Sequence, residues 1–242
     1  MTDALSDTLR KAVRSGGPCY THFLDPAAGR EFLGSARKEG LEGGCWGGAQ
    51  DAERVVCACW MDGYDPETWP VAALSITWSE QAGSLGHRDI LGAVLGLGIE
   101  RDHIGDIRVG NHKAWLAAEP GIAAYLTDNL RQAGRVTVRV EPAKEAIGRE
   151  QGRGKKVSLS SYRLDAVLAA AMDMSRAKAQ EWIRSGRVQR NWREEIRPDR
   201  EVASGDVLSV RGKGRVVVGE TGGISRKGRY HVDIETFWGN GP

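Results

Sequence analysis

Tyr162-Arg163-Leu164-Asp165 is the first of four short motifs in the C-terminal part of the 242-residue sequence. The others are Ser175-Arg176-Ala177-Lys178, Gly186-Arg187-Val188-Gln189-Arg190-Asn191-Trp192 and Ser204-Gly205-Asp206-Val207-Leu208-Ser209-Val210-Arg211. Apolar residues recur at helical spacing after the first motif, at Leu164, Val167, Leu168 and Ala171. This spacing predicts a short helix with one buried face. Ser175 is placed to cap a second helix, so the motifs predict a helix pair followed by short strands.

The predicted second helix carries a cationic face. Arg176, Gln180 and Arg184 are spaced by four residues, and Arg187 follows just beyond the helix end. Glu181 is the acid that interrupts this series. Because arginine forms bidentate hydrogen bonds to phosphate oxygens, the face suits a nucleic-acid backbone. The alternative is an ordinary solvated helix face.

Charge is distributed unevenly along the chain. Residues 1–150 hold 16 Lys and Arg against 21 Asp and Glu, a net charge of −5, whereas residues 151–242 hold 18 against 11, a net charge of +7. Four strands are predicted in this basic part, at residues 187–190, 207–211, 215–219 and 230–237, and the loops at 211–215 and 226–229 add cations. The asymmetry indicates that nucleic acid meets the C-terminal part.

The composition is that of a globular protein with two or three small domains, since 40% of the residues are hydrophobic. No apolar stretch is long enough to cross a bilayer, and the N-terminus lacks the apolar core of a signal peptide, so we expect a cytoplasmic protein without a membrane partner. Cys19, Cys45, Cys57 and Cys59 form no C-x-x-C pair. Reduced, buried thiols are therefore favoured over zinc ligands or a disulfide.

Residues 71–144 show the element order of a ferredoxin-like domain. Strands are predicted at 71–78, 104–109, 113–118 and 135–140, with helices at 89–97 and from Pro120 onward. The resulting β-α-β-β-α-β order is also that of the RNA-recognition module, although the same fold hosts many functions. Trp115 is the lone aromatic residue of the third strand, and we predict that it is a core or interface residue.

The remaining segments complete an α+β architecture. Residues 1–70 are predicted as a small N-terminal α/β unit with helices at 3–14 and 26–38 and a strand at 54–61. The glycine-rich residues 43–48 are predicted to form a loop. Residues 145–157 are predicted as a basic, glycine-rich linker, and residues 158–242 as the C-terminal domain with a strand extension.

Gly86-His87-Arg88-Asp89 stands at the start of a predicted helix and has two interpretations. Backbone amides, Arg88 and His87 could hold a phosphate there as a second site. Alternatively, Asp89 faces the positive end of the helix dipole and His87 is a surface residue.

The motifs Arg-Leu-Asp, Ser-Arg, Gly-x-Val-x-x-Asn and Gly-Asp-x-Leu-x-Val-Arg-Gly resemble the S4 RNA-binding domain over about residues 158–220. Residues 86–101, Ile104-Gly105-Asp106-Ile107 and Asn191-Trp192-Arg193 resemble the YlmH-type subfamily.

The resemblance implies binding of ribosomal RNA, with tRNA as a further candidate. It also implies a role on the large ribosomal subunit in quality control of stalled chains carrying peptidyl-tRNA. The implied RNA contacts are Arg163, Ser175, Arg176, Lys178, Arg184, Arg187, Gln189, Asn191 and Arg211. Arg190 departs from the pattern, because many such domains have an apolar residue there.

Two other classes of function stay open. S4 domains are also appended to pseudouridine synthases and RNA methyltransferases, but no glycine-rich cofactor turn follows a predicted strand, and the five histidines show no metal-ligand spacing. We therefore expect no catalytic residue, metal, cofactor or small-molecule substrate. Residues 1–70, which are acidic on balance, could instead act as a protein-interaction scaffold.

Overall fold

A computed structural model describes residues 2–49, 51–61, 63, 66, 68–143, 152–224 and 228–238. The chain divides into two compact units, Met1–Glu150 and Gln151–Pro242. The regions predicted as residues 1–70 and 71–144 therefore both lie in the first unit. Among the described residues, no helix has the length and apolar character needed to span a membrane.

The first unit begins with a three-stranded antiparallel sheet and two helices. The elements are α1 (Asp3–Ser15), β1 (Cys19–Leu24), α2 (Pro26–Lys38), β2 (Glu42–Trp46) and β3 (Val55–Trp60), and the strand order is β1-β3-β2. Leu5, Leu9 and Ala12 recur on one side of α1 and are buried in the core that the helices share with this sheet. Asp25 caps α2 by accepting two backbone hydrogen bonds at 2.8 Å.

Two predictions for this sheet are wrong. Residues 42–46, predicted in part as a loop, form β2, because the glycines let this strand lie close to its neighbours: a Cβ on Gly43 would be 2.7 Å from the Ala58 carbonyl oxygen. Cys45 and Cys57 were expected to be reduced, but they lie directly opposite each other on β2 and β3 and form a disulfide. Cys19 and Cys59 are free thiols.

A ferredoxin-like domain follows in the same unit. Its elements are β4 (Ala72–Thr77), α3 (His87–Gly96), β5 (Ile104–Val109), β6 (Lys113–Ala118), α4 (Pro120–Asn129), the short hairpin of β7 (Gln132–Ala133) and β8 (Val136–Thr137), and β9 (Arg139–Pro142). The antiparallel sheet has the order β5-β6-β4-β9, which confirms the predicted β-α-β-β-α-β arrangement. Ile90, Leu116 and Leu126 lie in the core between the two helices and one face of the sheet.

The other face of this sheet is covered by the three-stranded sheet. Phe23 of β1 is buried against Ala117 of β6. Gly105 of β5 permits this approach, since a Cβ there would lie 2.6 Å from the Phe23 ring. Asp106 accepts a hydrogen bond of 2.9 Å from the Arg54 amide, and the Arg54 guanidinium donates to the Phe23 carbonyl oxygen at 2.7 Å. The two sheets therefore share one interior.

The second unit packs two helices against a six-stranded antiparallel sheet. Its elements are β10 (Arg153–Leu159), α5 (Leu164–Ala171), α6 (Arg176–Arg184), β11 (Val188–Arg190), β12 (Arg193–Glu194), β13 (Val207–Val210), β14 (Gly214–Ile224) and β15 (Tyr230–Trp238). The strand order is β10-β15-β14-β13-β11-β12. Leu168 and Ile183 from the helices and Leu208 from the sheet are fully buried in the core.

The last five residues of the predicted linker at 145–157 form part of a strand. Residues 153–157 lie in β10, which pairs along its whole length with β15 and buries Val157 and Leu159. The alternation of inward apolar and outward polar residues explains why a basic segment forms a strand here. Residues 145–151 of the predicted linker, and positions 226 and 227 of the predicted cationic loop, fall outside the described residues.

Candidate RNA-binding surface

A buried carboxylate organises the predicted cationic face. Asp165, at the start of α5, has no exposed side-chain surface. Arg163 donates to it from Nε and from a terminal nitrogen, both at 3.2 Å, while Arg176 donates at 2.8 Å and Gln180 at 2.7 Å. Asp165 therefore orients the Arg163 guanidinium.

The carboxylate is ionised at neutral pH. Burial raises the pKa of Asp165, but the hydrogen bonds from Arg163, Gln180 and Arg176 outweigh burial and leave the pKa lowered. The side chains of Arg163 and Arg176 stay 39% and 47% exposed. Each guanidinium has five N–H donors, so each keeps donors for a phosphate while Asp165 fixes its position.

The first turn of α6 uses two other predicted contact residues internally. Ser175 Oγ accepts a hydrogen bond of 3.2 Å from the Lys178 amide and caps the helix, as predicted. Lys178 Nζ donates to Glu181 at 2.9 and 3.1 Å across an exposed helix turn. Such a surface ion pair is weak, and Lys178 can exchange Glu181 for a phosphate at little cost.

Three exposed arginines lie at or after the end of α6. Arg184 is the last residue of the helix. The Arg211 amide donates to the Arg187 carbonyl oxygen at 2.9 Å, so Arg187, just before β11, lies beside Arg211, just after β13. Within the described part of the chain, their side chains make no hydrogen bond or ion pair. Gln189 is also exposed, on β11 opposite Ser209. Glu194 of β12 pairs in register with Gln189, so an acid lies beside Gln189 on the neighbouring strand.

The Asn191 side chain forms hydrogen bonds within the second unit. It adopts a positive φ of 50°, donates from Nδ2 to Asp206 at 2.7 Å and accepts from the Val207 amide at 3.0 Å. Arg190 also donates to Asp206, at 2.7 Å, so the arginine that departs from the family pattern has a carboxylate partner. The sequence predicted no role for Asp206, because the partners of its carboxylate are brought together only by the tertiary structure. The structure gives Asn191 a positioning role, and direct RNA contact by Asn191 stays a prediction.

The three-stranded sheet covers one face of the ferredoxin-like sheet, so RNA bases cannot stack on aromatic residues there. Trp115 of β6 is partly buried and packs against the cluster that Phe23 and Ala117 form between the two sheets, and Lys113 Nζ lies 4.7 Å from the centre of the Trp115 ring. The prediction that Trp115 is a core or interface residue is confirmed.

At the second candidate phosphate site, His87 and Arg88, the neighbouring Asp89 carboxylate would compete with a phosphate for the helix start. Asp89 accepts a hydrogen bond of 2.8 Å from the Gly86 amide, so a carboxylate already stands at the start of α3. Burial lowers the pKa of His87, and the neighbouring cations of Arg101 and Arg88 lower it further. A phosphate at this helix end would therefore compete with the Asp89 carboxylate, and His87 would add little positive charge to that of Arg88. These contacts favour the capped-helix interpretation.

Comparisons with known proteins match both units. The model of a putative RNA-binding domain in YlmH matches residues 65–146, and that of the S4 domain matches residues 163–208. The ribosome-associated protein quality control protein P2 of Bacillus subtilis (strain 168) is 30% identical over 227 residues, which cover 89% of this chain and 86% of the relative. The structure titled cell division protein ylmH from Streptococcus pneumoniae shares the fold, with a TM-score of 0.53, 24% identity, and coverage of 58% of this chain and 87% of that chain.

Together, the clamped arginines and these matches define an RNA-binding protein with an S4 domain. A putative RNA-binding domain precedes the S4 domain in the chain. The chain belongs to the YlmH family.

Proposed function

We propose that this protein binds structured ribosomal RNA on the large ribosomal subunit without catalysing a reaction, and that it recognises subunits that carry peptidyl-tRNA. The observation that carries the proposal is the clamp in which buried Asp165 holds Arg163 and Arg176 while both side chains remain partly exposed. The Bacillus subtilis relative is named a ribosome-associated protein quality control protein, which supports the proposed association with the ribosome.

The clamp suits a phosphate backbone because its arginines are already held in position. A free arginine loses side-chain entropy when it binds, whereas a clamped one is already ordered. Asp165 offsets part of the charge, but each guanidinium retains unused N–H donors. Arg184, Arg187 and Arg211 then extend the cationic surface from the end of α6 to β13. Lys178, Gln189 and Ser175 complete the proposed contact set.

The matched families describe RNA binding rather than a catalytic family. Nothing in the described residues favours an RNA-modifying enzyme. A modified nucleoside formed in ribosomal RNA by the purified protein, detected by mass spectrometry, would replace the binding proposal with the enzyme alternative.

Co-sedimentation with purified large subunits tests the proposal. We expect the wild-type protein to sediment with large subunits and the double variant Arg184→Ala/Arg187→Ala to remain largely at the top of the gradient. The matched control is Arg153→Ala/Lys156→Ala, which removes the same charge from β10, at the other end of the strand order from β11. Equal loss in both variants would indicate nonspecific attraction and would contradict the proposed surface.

Recognition of peptidyl-tRNA needs a second comparison. Large subunits with and without bound peptidyl-tRNA are titrated with the same protein. We expect tighter binding to the peptidyl-tRNA complex. Equal affinities would limit the proposal to ribosomal RNA, and binding to small subunits alone would overturn it.

A further inference from the structure

Two histidines and one glutamate converge in the first unit. His22 lies on β1, His103 lies in the short 3₁₀ turn Arg101–His103 before β5, and Glu119 lies between β6 and α4. The two carboxylate oxygens of Glu119 lie 2.6 Å from His22 Nδ1 and 2.9 Å from His103 Nδ1. The ring centres of the two histidines are 4.4 Å apart. Because His22 and Glu119 are 97 residues apart in sequence, only the fold reveals this cluster.

The fold directs the Glu119 carboxylate to the histidines. Glu119 occupies the N-cap position of α4, but its side chain forms no capping hydrogen bond. The following residue, Pro120, has no amide hydrogen, which reduces the demand for a cap at the first turn. The Glu119 amide also donates to the His103 carbonyl oxygen at 3.2 Å, so the backbone holds these two residues together.

Two imidazoles and a carboxylate form a ligand set for a divalent transition-metal ion. One candidate ligand atom from each of the three side chains lies within 4.8 Å of the others. Bonds of about 2.0–2.1 Å to a tetrahedral Zn²⁺ place neighbouring ligand atoms about 3.3 Å apart. The observed nitrogen–oxygen distances of 2.6 and 2.9 Å therefore need to lengthen by less than about 1 Å.

Two further carboxylates, those of Glu100 and Asp102, lie near His103. Glu100 and Asp102 each have an oxygen within 4.8 Å of a ring nitrogen of His103 and of each other. Asp102 Oδ1 is buried, and no hydrogen-bond partner for it exists in the described parts of the chain. Metal-bound histidines commonly donate their second ring N–H to a carboxylate, which fixes the ring.

We propose that His22, His103 and Glu119 bind a divalent transition-metal ion of the Zn²⁺ type, with Asp102 and Glu100 as carboxylates that orient His103. The ion ties β1 of the three-stranded sheet to the junction of β6 and α4. The His22 side chain is 54% exposed, so the side facing solvent is open to water or to a ligand from a partner. The site is independent of the proposed RNA-binding surface.

Equilibrium dialysis of the full-length, chelator-treated protein against Zn²⁺, with metal quantified by mass spectrometry, tests the site. We expect one bound equivalent at micromolar free Zn²⁺ and an affinity at least about tenfold lower in His22→Gln and in Glu119→Gln. Co²⁺ provides a second readout, because nitrogen and oxygen ligands give d–d bands without a thiolate charge-transfer band. Bound metal is also expected to raise the Tm of the wild-type protein.

His231→Gln is the matched control, because His231 is an exposed histidine of β15 in the other unit. It should bind Zn²⁺ as the wild type does. Cys19→Ser tests whether a free thiol binds the ion instead. His22 is on the surface, so its variant is expected to fold, as circular dichroism can verify. Absence of stoichiometric binding, or equal binding by wild type and His22→Gln, overturns the proposal.

Discussion

Arg176 donates a hydrogen bond of 2.8 Å to Asp165, a carboxylate with no exposed surface that lies on the preceding helix. The contact joins the first turn of α6 to the first turn of α5. It therefore couples the stability of the helix pair to the placement of a predicted RNA contact.

Replacing Asp165 by Asn should weaken both properties. Asn keeps the shape but loses the charge that Arg163 and Arg176 share, so we expect a loss of about 1–3 kcal/mol in the free energy of unfolding and a lower RNA affinity. Chemical denaturation and fluorescence anisotropy measure the two effects. Asp173→Asn is the control, since Asp173 forms an exposed ion pair with Lys155 and its positive φ suits Asn. A full-sized stability loss in the control and none in Asp165→Asn would contradict the clamp.

The stabilisation by Asp165 should depend on pH with a defined sign. Because the folded-state pKa lies below the ordinary value of 3.8, the carboxylate stabilises the fold at pH values above 3.8. This contribution declines as the pH falls through the lowered pKa. The difference in unfolding free energy between wild type and Asp165→Asn should therefore be constant near neutrality and shrink in acid. Denaturation curves of both proteins across this range test it, and a difference that grows in acid would reverse the assigned sign.

RNA binding should weaken steeply with salt. Each phosphate contact contributes about 0.7–0.9 to the slope of log affinity against log salt concentration. Arg184→Ala/Arg187→Ala should reduce this slope by about 1–2, whereas Arg153→Ala/Lys156→Ala should leave it near the wild-type value. Anisotropy titrations at several salt concentrations give the slopes. An unchanged slope in the first variant would remove Arg184 and Arg187 from the contact set.

Asn191→Gly separates positioning from direct contact. Gly keeps the positive φ but loses the hydrogen bonds with Asp206 and Val207, so we expect a destabilisation of about 1–3 kcal/mol. Thermal and chemical denaturation measure it. Unchanged stability together with reduced RNA affinity would instead identify Asn191 as a direct RNA contact.

Gly105→Ala tests the contact between the two sheets of the first unit. The added methyl group would lie 2.6 Å from the Phe23 ring and 2.9 Å from Ala117 Cβ, so the variant should lose about 1–3 kcal/mol. Gly92→Ala is the control, because this glycine of α3 has open space around its Cβ position and alanine favours the helix. Chemical denaturation compares the two. Equal stability of Gly105→Ala and the wild type would mean that the sheets pack less closely than described.

Local periodicity predicted much of the fold. The apolar spacing around Ile90, Leu126 and Leu168 identified α3, α4 and α5, because each pattern records which side of a helix is buried. β2 was missed because Gly43 and Gly44 disfavour a strand in isolation, and only the close approach of β3 and α2 makes glycine suitable there. β1 was missed as well, since Thr21 is a buried polar residue in a short strand.

The candidate site was predictable in composition but not in geometry. The four-residue spacing of Arg176, Gln180 and Arg184 identified the cationic helix. The internal use of Asn191 depends on Asp206, a partner 15 residues away whose position is set by tertiary structure. The coverage of the ferredoxin-like sheet likewise depends on residues of β1, which no local pattern links to β6.

The covered sheet face has a consequence for genetics. Trp69 and Trp115 are aromatic residues of the matched RNA-binding domain, and Phe23 of β1 belongs to the same cluster. A mutational screen would naturally interpret the loss of either tryptophan as a recognition defect. Because Phe23 is buried between the two sheets and both tryptophans pack against its cluster, replacement of any of the three should produce temperature-sensitive alleles with reduced protein levels. Suppressors of such alleles would map to the facing sheet and not to the RNA.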